Sequence, residues 1–102
     1  MEIIITENVK EFIRTLDENH DSRVEKHFAL LAQFGNYLRM PYSKCILPKI
    51  FELRVGGIQN LRIIYTFDEG KAIVFHGFSK KTEKIELHEI NVIKLQYNSL
   101  HL

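Results

Sequence analysis

An α+β fold is the class this sequence predicts, and three observations carry the prediction. Apolar residues recur at helical spacing from Val9 to Leu38; they alternate with polar ones from Phe51 to Phe78; and they return to helical spacing after Thr82. The expected arrangement is two N-terminal helices packed on a small antiparallel sheet, with a closing C-terminal helix. At 102 residues the chain reads as one domain, residues 1–102, large enough for a core and too small for two.

The elements follow in order. "EIII" at Glu2 to Ile5 is a short strand, and Thr6 caps a helix to about Asn19 on which Val9, Phe12, Ile13 and Leu16 share a face. Ser22 and Glu25 form an S-x-x-E capping box for a second helix, whose stripe of Val24, Phe28, Leu31, Phe34 and Leu38 runs to about Leu38, ahead of Pro41. Phe51, Leu53 and Val55 then alternate with Glu52 and Arg54, and Leu61 to Phe67 and Ala72 to Phe78 give two further strands. Between these last two, "DEGK" is a two-residue hairpin centred on Glu69-Gly70. Thr82 is the expected cap of a final helix carrying Ile90, Ile93, Tyr97 and Leu100 on one side.

Composition excludes several classes. With 45% hydrophobic and 26% charged residues the chain is globular rather than disordered. No apolar run approaches the roughly 20 residues that cross a bilayer, so no membrane partner is expected. A single cysteine, Cys45, rules out an internal disulfide, and no charged-then-apolar leader opens the chain, which points to the cytoplasm. Residues 1–43 hold five Lys/Arg against seven Asp/Glu, and residues 44–102 hold nine against six, so the basic side lies with the strands.

Strand parity sharpens this. Simple closure of the "GGIQN" loop pairs Val55 with Leu61 and Arg54 with Arg62; the "DEGK" hairpin pairs Phe67 with Ala72, Tyr65 with Val74, Ile63 with His76 and Arg62 with Gly77. Two arginines then lie side by side, where like charges cost up to about 1 kcal/mol, a placement explained by an anion between them. Phe51, Leu53, Leu61, Ile63, Tyr65, Val74 and Phe78 form the helix-covered face. Beyond the arginines, "HGFSKKT" at His76 to Thr82 delivers Ser79, Lys80 and Lys81, with the backbone N–H groups of the expected helix start alongside. Guanidiniums, ammoniums and a helix N-terminus suit phosphate.

The ordered set "K-x-x-L" at Lys44 to Leu47, "FELR" at Phe51 to Arg54, "LRIIYTF" at Leu61 to Phe67 and "HGFSKKT" resembles the RelE superfamily, and within it the HigB-like, phage-associated toxins. The resemblance spans about Ala29 to Asn98. It implies an mRNA interferase of a type II toxin–antitoxin pair, a ribosome-dependent endoribonuclease whose concave sheet face takes RNA. It also implies a cognate antitoxin, usually with a helix-turn-helix domain, through which operator DNA would be reached; the ribosome and its mRNA are the other partners. Carried over by position, the ELR arginine is Arg54, the arginine of the R-x-x-Y strand is Arg62, and the lysines of the FxKK motif are Lys80 and Lys81. Lys44, Lys49 and Ser79 are expected to contact RNA. The match departs from the family pattern where "TEKIELHEI" lacks the proline that often follows KKT.

The implied chemistry uses no cofactor or metal: the ribose 2′-OH attacks the adjacent phosphate while cations stabilise the phosphoryl oxygens. Arg54 and Arg62 fit that role, and Lys80 or Lys81, crowded by like charges, is the candidate base. Parity past Ser79 favours Lys81 over Lys80 on the site side. His76 is expected to turn inward toward Ile63, Tyr65 to find a buried partner for its hydroxyl, and Cys45 to be an inert thiol. The five histidines are scattered, without H-x-x-x-H or C-x-x-C spacing, so no metal site is expected. The alternative reading is a non-catalytic RNA- or protein-binding module in which the arginines only position phosphates.

Overall fold

A computed structural model describes residues 1–102. The chain forms β1 (Ile3–Ile5), α1 (Glu7–Arg14), α2 (Glu18–Phe34), a 3₁₀ turn (Gly35–Tyr37), β2 (Ser43–Leu47), β3 (Ile50–Val55), β4 (Leu61–Asp68), β5 (Lys71–Ser79) and α3 (Leu87–Ser99). The class is α+β, with five strands in the order β1-β5-β4-β3-β2.

The arrangement differs from the expected one in six places, the first being α1, which ends at Arg14 and not near Asn19 because Asp17 already caps the next helix. The sheet is mixed, because β1 pairs parallel to β5 while every other pair is antiparallel. β2 is an additional edge strand; its Lys44 and Cys45 are exposed and its alternation is broken by a register shift between Cys45 and Leu47, so the sequence lacks a clear period there. α2 begins at Glu18 and not behind Ser22, since the Asp17 carboxylate accepts the His20 amide at 2.8 Å and caps the helix before the S-x-x-E motif is reached. It ends at Gly35, whose φ of 52° stops the helix short of Leu38. α3 starts behind Glu86, not Thr82; the Thr82 hydroxyl instead donates to Lys84 O at 2.5 Å within an irregular segment.

Helices α1 and α2 cover one face of the sheet. Val9, Val24 and Leu31 pack there against Leu53, Val55, Leu61, Ile63, Tyr65, Ala72 and Val74, all buried. The other face holds a smaller cluster in which Ile93 of α3 meets Ile50, Ile64 and Phe75. β4 lies between the two layers and is buried from Leu61 through Thr66, which explains its nearly continuous apolar run. The Tyr65 hydroxyl shares a buried hydrogen bond with the Ser43 hydroxyl, and burial pushes the phenol above its usual range, partly offset by that bond.

Both hairpins that build the site close as the sequence indicates at their ends. Glu69 and Gly70 take φ of 48° and 74°, the double positive φ of a two-residue mirror-type turn, and Asp68 faces Lys71. Arg54 pairs with Arg62 and Val55 with Leu61. Between them a bulge intervenes. Tyr65 pairs with Val74, but Ile64 pairs with His76, so Phe75 is the extra residue and every later position on β5 changes face. Gly77 therefore lies opposite Ile63 under α1, not opposite Arg62, and Phe78 moves from the expected core face to the α3 side, opposite Arg62.

Glycine at position 77 is required by packing. A Cβ there would meet Phe12 Cδ2 at 2.7 Å and Ile63 Cδ1 at 3.3 Å. Gly77→Ala is expected to destabilise the protein by about 1–3 kcal/mol, lowering Tm by several degrees, and Phe12→Leu in the same chain should recover part of that loss. Additive melting shifts in the double variant would show that the two positions do not compete for space.

Candidate functional site

Three strand ends meet on the sheet face that α3 leaves open. β3 contributes Glu52 and Arg54, β4 contributes Arg62 opposite Arg54, and β5 ends in Phe78 opposite Arg62. The next residue of that parity is Lys80, whose amide donates to Asn60 O at 2.6 Å as the chain leaves the sheet. A cavity of about 470 Å³ lined by no hydrophobic residue opens here, bordered by Arg54, Asn60, Arg62, Lys80, Lys81, Thr82 and Glu83.

Beneath it a buried carboxylate faces two guanidiniums. Glu52 is 3% exposed, with Oε1 at 3.7 Å from Arg54 Nε and Oε2 at 3.6 Å from Arg62 Nε. Neither distance is a hydrogen bond, and both Glu52 Oε2 and Arg62 Nε are buried without a hydrogen-bond partner. Arg62 is anchored by one bond, Nη1 to its own strand at Leu61 O, 2.9 Å. Unpartnered polar atoms in a buried charge cluster are costly, and folding alone gives no reason to place them here. The charge balance favours an anion, since one buried carboxylate serves Arg54, Arg62 and the nearby Lys80.

The electrostatics agree. Burial lowers the Arg62 pKa from its ordinary value, Glu52 opposing the shift and Arg54 adding to it. Lys80 is also held below the usual lysine range, first by burial and then by Arg62, with Glu52 opposing and Arg54 and Lys44 contributing further. These are the conditions under which a lysine gains an uncharged fraction available for proton transfer.

Of the residues expected at the site, the structure brings Arg54, Arg62, Lys80 and Lys81 together around one cavity. Lys80 and not Lys81 takes the inward position: it is half-buried where Lys81 is exposed, because the bulge at Phe75 shifts parity by one. Lys44 sits on β2 opposite Glu52 and is close enough to influence Lys80. Ser79 pairs with Leu61 and borders a second cavity shared with Lys80 and Lys81. Lys49 is elsewhere, exposed in the β2–β3 turn with φ of 64°, at the end of β3 remote from Arg54. The α3 start does not border this cavity, but its N-cap Glu86 and first-turn Glu89 line an adjoining one with Ser79, Lys80 and Lys81, bringing carboxylates to the lysines.

His76 is corrected as well. The bulge turns it away from the α1–α2 core to the α3 side, where Nε2 lies 2.6 Å from Glu89 Oε1 and the ring stacks on Phe78 at 5.7 Å. It does not border the cationic cavity. Asn60 is the member that strand parity does not single out, legible only as the last residue of the "GGIQN" loop. Glu52 shares the arginine face by the same parity, which offers it to one guanidinium, whereas it faces both. No group of three or more His, Cys, Asp or Glu residues is placed to hold a metal. Cys45 is exposed, its thiol directed to Leu47 O at 3.2 Å.

No helix is long and apolar enough to cross a membrane. No curated protein matches the chain. Residues 11–98 match the family described as phage-derived protein Gp49-like (DUF891), a span that contains all of β2 to β5 and the whole cationic face. The chain therefore belongs to the phage-derived Gp49-like family, which is a RelE-like, toxin-like family.

Proposed function

We propose that this protein is the toxin of a type II toxin–antitoxin pair and acts as a HigB-like, ribosome-dependent mRNA endonuclease. The observation that carries the reading is the Arg54–Arg62 cross-strand pair, set over one buried carboxylate and joined by Lys80 at a cavity lined by no hydrophobic residue. In this reading the scissile phosphate lies between the two guanidiniums, which stabilise the charge that builds on its oxygens. Lys80, with its lowered pKa, takes the proton from the 2′-OH as that oxygen bonds to phosphorus. The P–O5′ bond breaks, leaving a 2′,3′-cyclic phosphate and a 5′-oxygen that is protonated from water, while Lys81 holds the flanking backbone. Lys44 extends the cationic track along β2.

Partners follow from the same reading. A cognate antitoxin with a DNA-binding domain masks the Arg54, Arg62 and Lys80 face or blocks ribosome entry by its bulk, and the acidic helices of the first half are the surface free to hold it. Ribosomal presentation of mRNA is needed because a formal net charge of +1 gives little grip on free RNA. One observation favours the second reading, a non-catalytic RNA- or protein-binding module: His76 and Glu89, the other proton-carrying pair near β5, do not border the cavity.

Single-turnover cleavage on programmed ribosomes separates the two. Arg54→Ala is expected to lower the rate by about 10²–10³ with little change in Tm, since its side chain is 32% exposed. Arg62→Ala should lose activity and also about 3 kcal/mol of stability, because Glu52 stays buried with one partner fewer. Lys80→Ala should lose about 10²-fold and Lys81→Ala less than about tenfold. Wild-type protein that binds ribosomes and cuts nothing would establish the binding module, and efficient cleavage of purified naked mRNA would remove the ribosome requirement.

The pH dependence follows from the direction of the Lys80 shift. A base works unprotonated, so the wild-type rate is expected to rise with pH and level off at the Lys80 pKa, below the ordinary 10.5 of a lysine. Lys80→Arg keeps the charge but cannot act as a base in this range, and its rate should be low and flat. An unchanged rising profile in Lys80→Arg would assign the base elsewhere.

A further inference from the structure

The loop that carries the end of the cationic site is attached to the helical layer through one imidazole. Gly56 to Asn60, joining β3 to β4, is exposed throughout and forms no hydrogen-bonded turn of its own. Two hydrogen bonds hold it. Asn60 O accepts the Lys80 amide at 2.6 Å, and the Gln59 amide donates to His20 Nε2 at 3.2 Å. His20 lies in the first turn of α2 and is 2% exposed. Gly57, with φ of 136°, makes the approach possible, since a Cβ there would meet His20 Nε2 at 3.1 Å.

The two partners of the ring fix its protonation. A carboxylate only accepts, so His20 Nδ1, at 2.7 Å from Asp17 Oδ1, carries the proton. A backbone N–H only donates, so Nε2 presents its lone pair to Gln59. Addition of a second proton places an N–H on Nε2 facing the Gln59 N–H, and two donors cannot share that contact. The loop is then left with the Asn60–Lys80 bond alone.

We propose that His20 is a positioning residue for the cationic site: neutral, it holds the β3–β4 loop through Gln59, and protonated, it releases the loop and with it the seat of Lys80. The charged groups near the ring are Asp17 at the helix cap and Arg23, whose Nε lies beside Gly57. The loop itself, Gly-Gly-Ile-Gln-Asn, has no titratable side chain. Hydrogen bonds from the His20 amide and ring hold the Asp17 carboxyl below its usual range.

Amide hydrogen exchange on the full chain tests this without reference to activity. Between about pH 7.5 and about pH 5 the protection factors of the Gln59 and Lys80 amides are expected to fall about tenfold together, while that of buried Val24 in α2 stays constant. In His20→Gln, whose amide oxygen accepts from Gln59 and does not titrate, both should stay flat. Unchanged wild-type protection overturns the proposal, as does an equal fall in His20→Gln; loss at Gln59 with Lys80 unmoved overturns the link to the site. The consequence for turnover rests on the nuclease reading: the ribosomal cleavage rate should fall more steeply toward acid in wild type than in His20→Gln. Absence of cleavage at every pH would count against that reading alone, because the exchange result stands separately.

Discussion

The extra residue at Phe75 is the constraint on which the rest of the molecule depends. Without it β5 would keep one parity from Lys71 to Ser79, Gly77 would face Arg62, and Phe78 would enter the α1–α2 core. With it, Phe75 and His76 both turn to the α3 side, and Phe78 and Lys80 follow. The same shift puts Gly77 under Phe12, where any side chain would collide. One local irregularity thus seats α1, gives α3 an aromatic surface to cover, and aims a lysine at two arginines. Bulges are a means of re-aiming a side chain near a functional site, and here the geometry shows how.

The cationic face is a place where the sheet departs from what stability alone would choose. Arg54 opposite Arg62 is a like-charge cross-strand pair, and Glu52 below them is buried yet hydrogen-bonded to neither. A buried carboxylate between two guanidiniums offsets their repulsion while both arginines still line the cavity. The two arginines are held by strands, in place without any ligand, whereas Lys80 and Lys81 lie just beyond the end of β5.

Much of this was legible in the sequence because strands and tight turns obey local rules. The period-two run from Phe51 to Phe78, the Glu69-Gly70 turn and the Arg54–Arg62 register all follow from spacing. What could not be read there depends on contacts distant in sequence. The bulge exists because Phe75 packs on Ile93 and Phe12 needs the space at Gly77, and neither partner is near in the chain. So the inward lysine was assigned to Lys81, and His76 to the wrong face. The start of α2 was misplaced for a local reason, two competing caps, of which Asp17 prevails. β2 lacked a signal because an edge strand with exposed Lys44 and Cys45 has no buried face to impose alternation.

The burial of β4 on both faces has a bearing on control. Arg62 is carried by the strand with least access to water, between the two apolar layers, and its neighbours Leu61, Ile63 and Ile64 are wholly enclosed. Segments of that kind open only when the whole domain does, whereas exposed loops open on their own. The backbone that carries Arg62 therefore stays in place short of global unfolding. Under the proposed function, control of this face would act from outside, by occupation or obstruction, or through the peripheral segments that bring Lys80 to it.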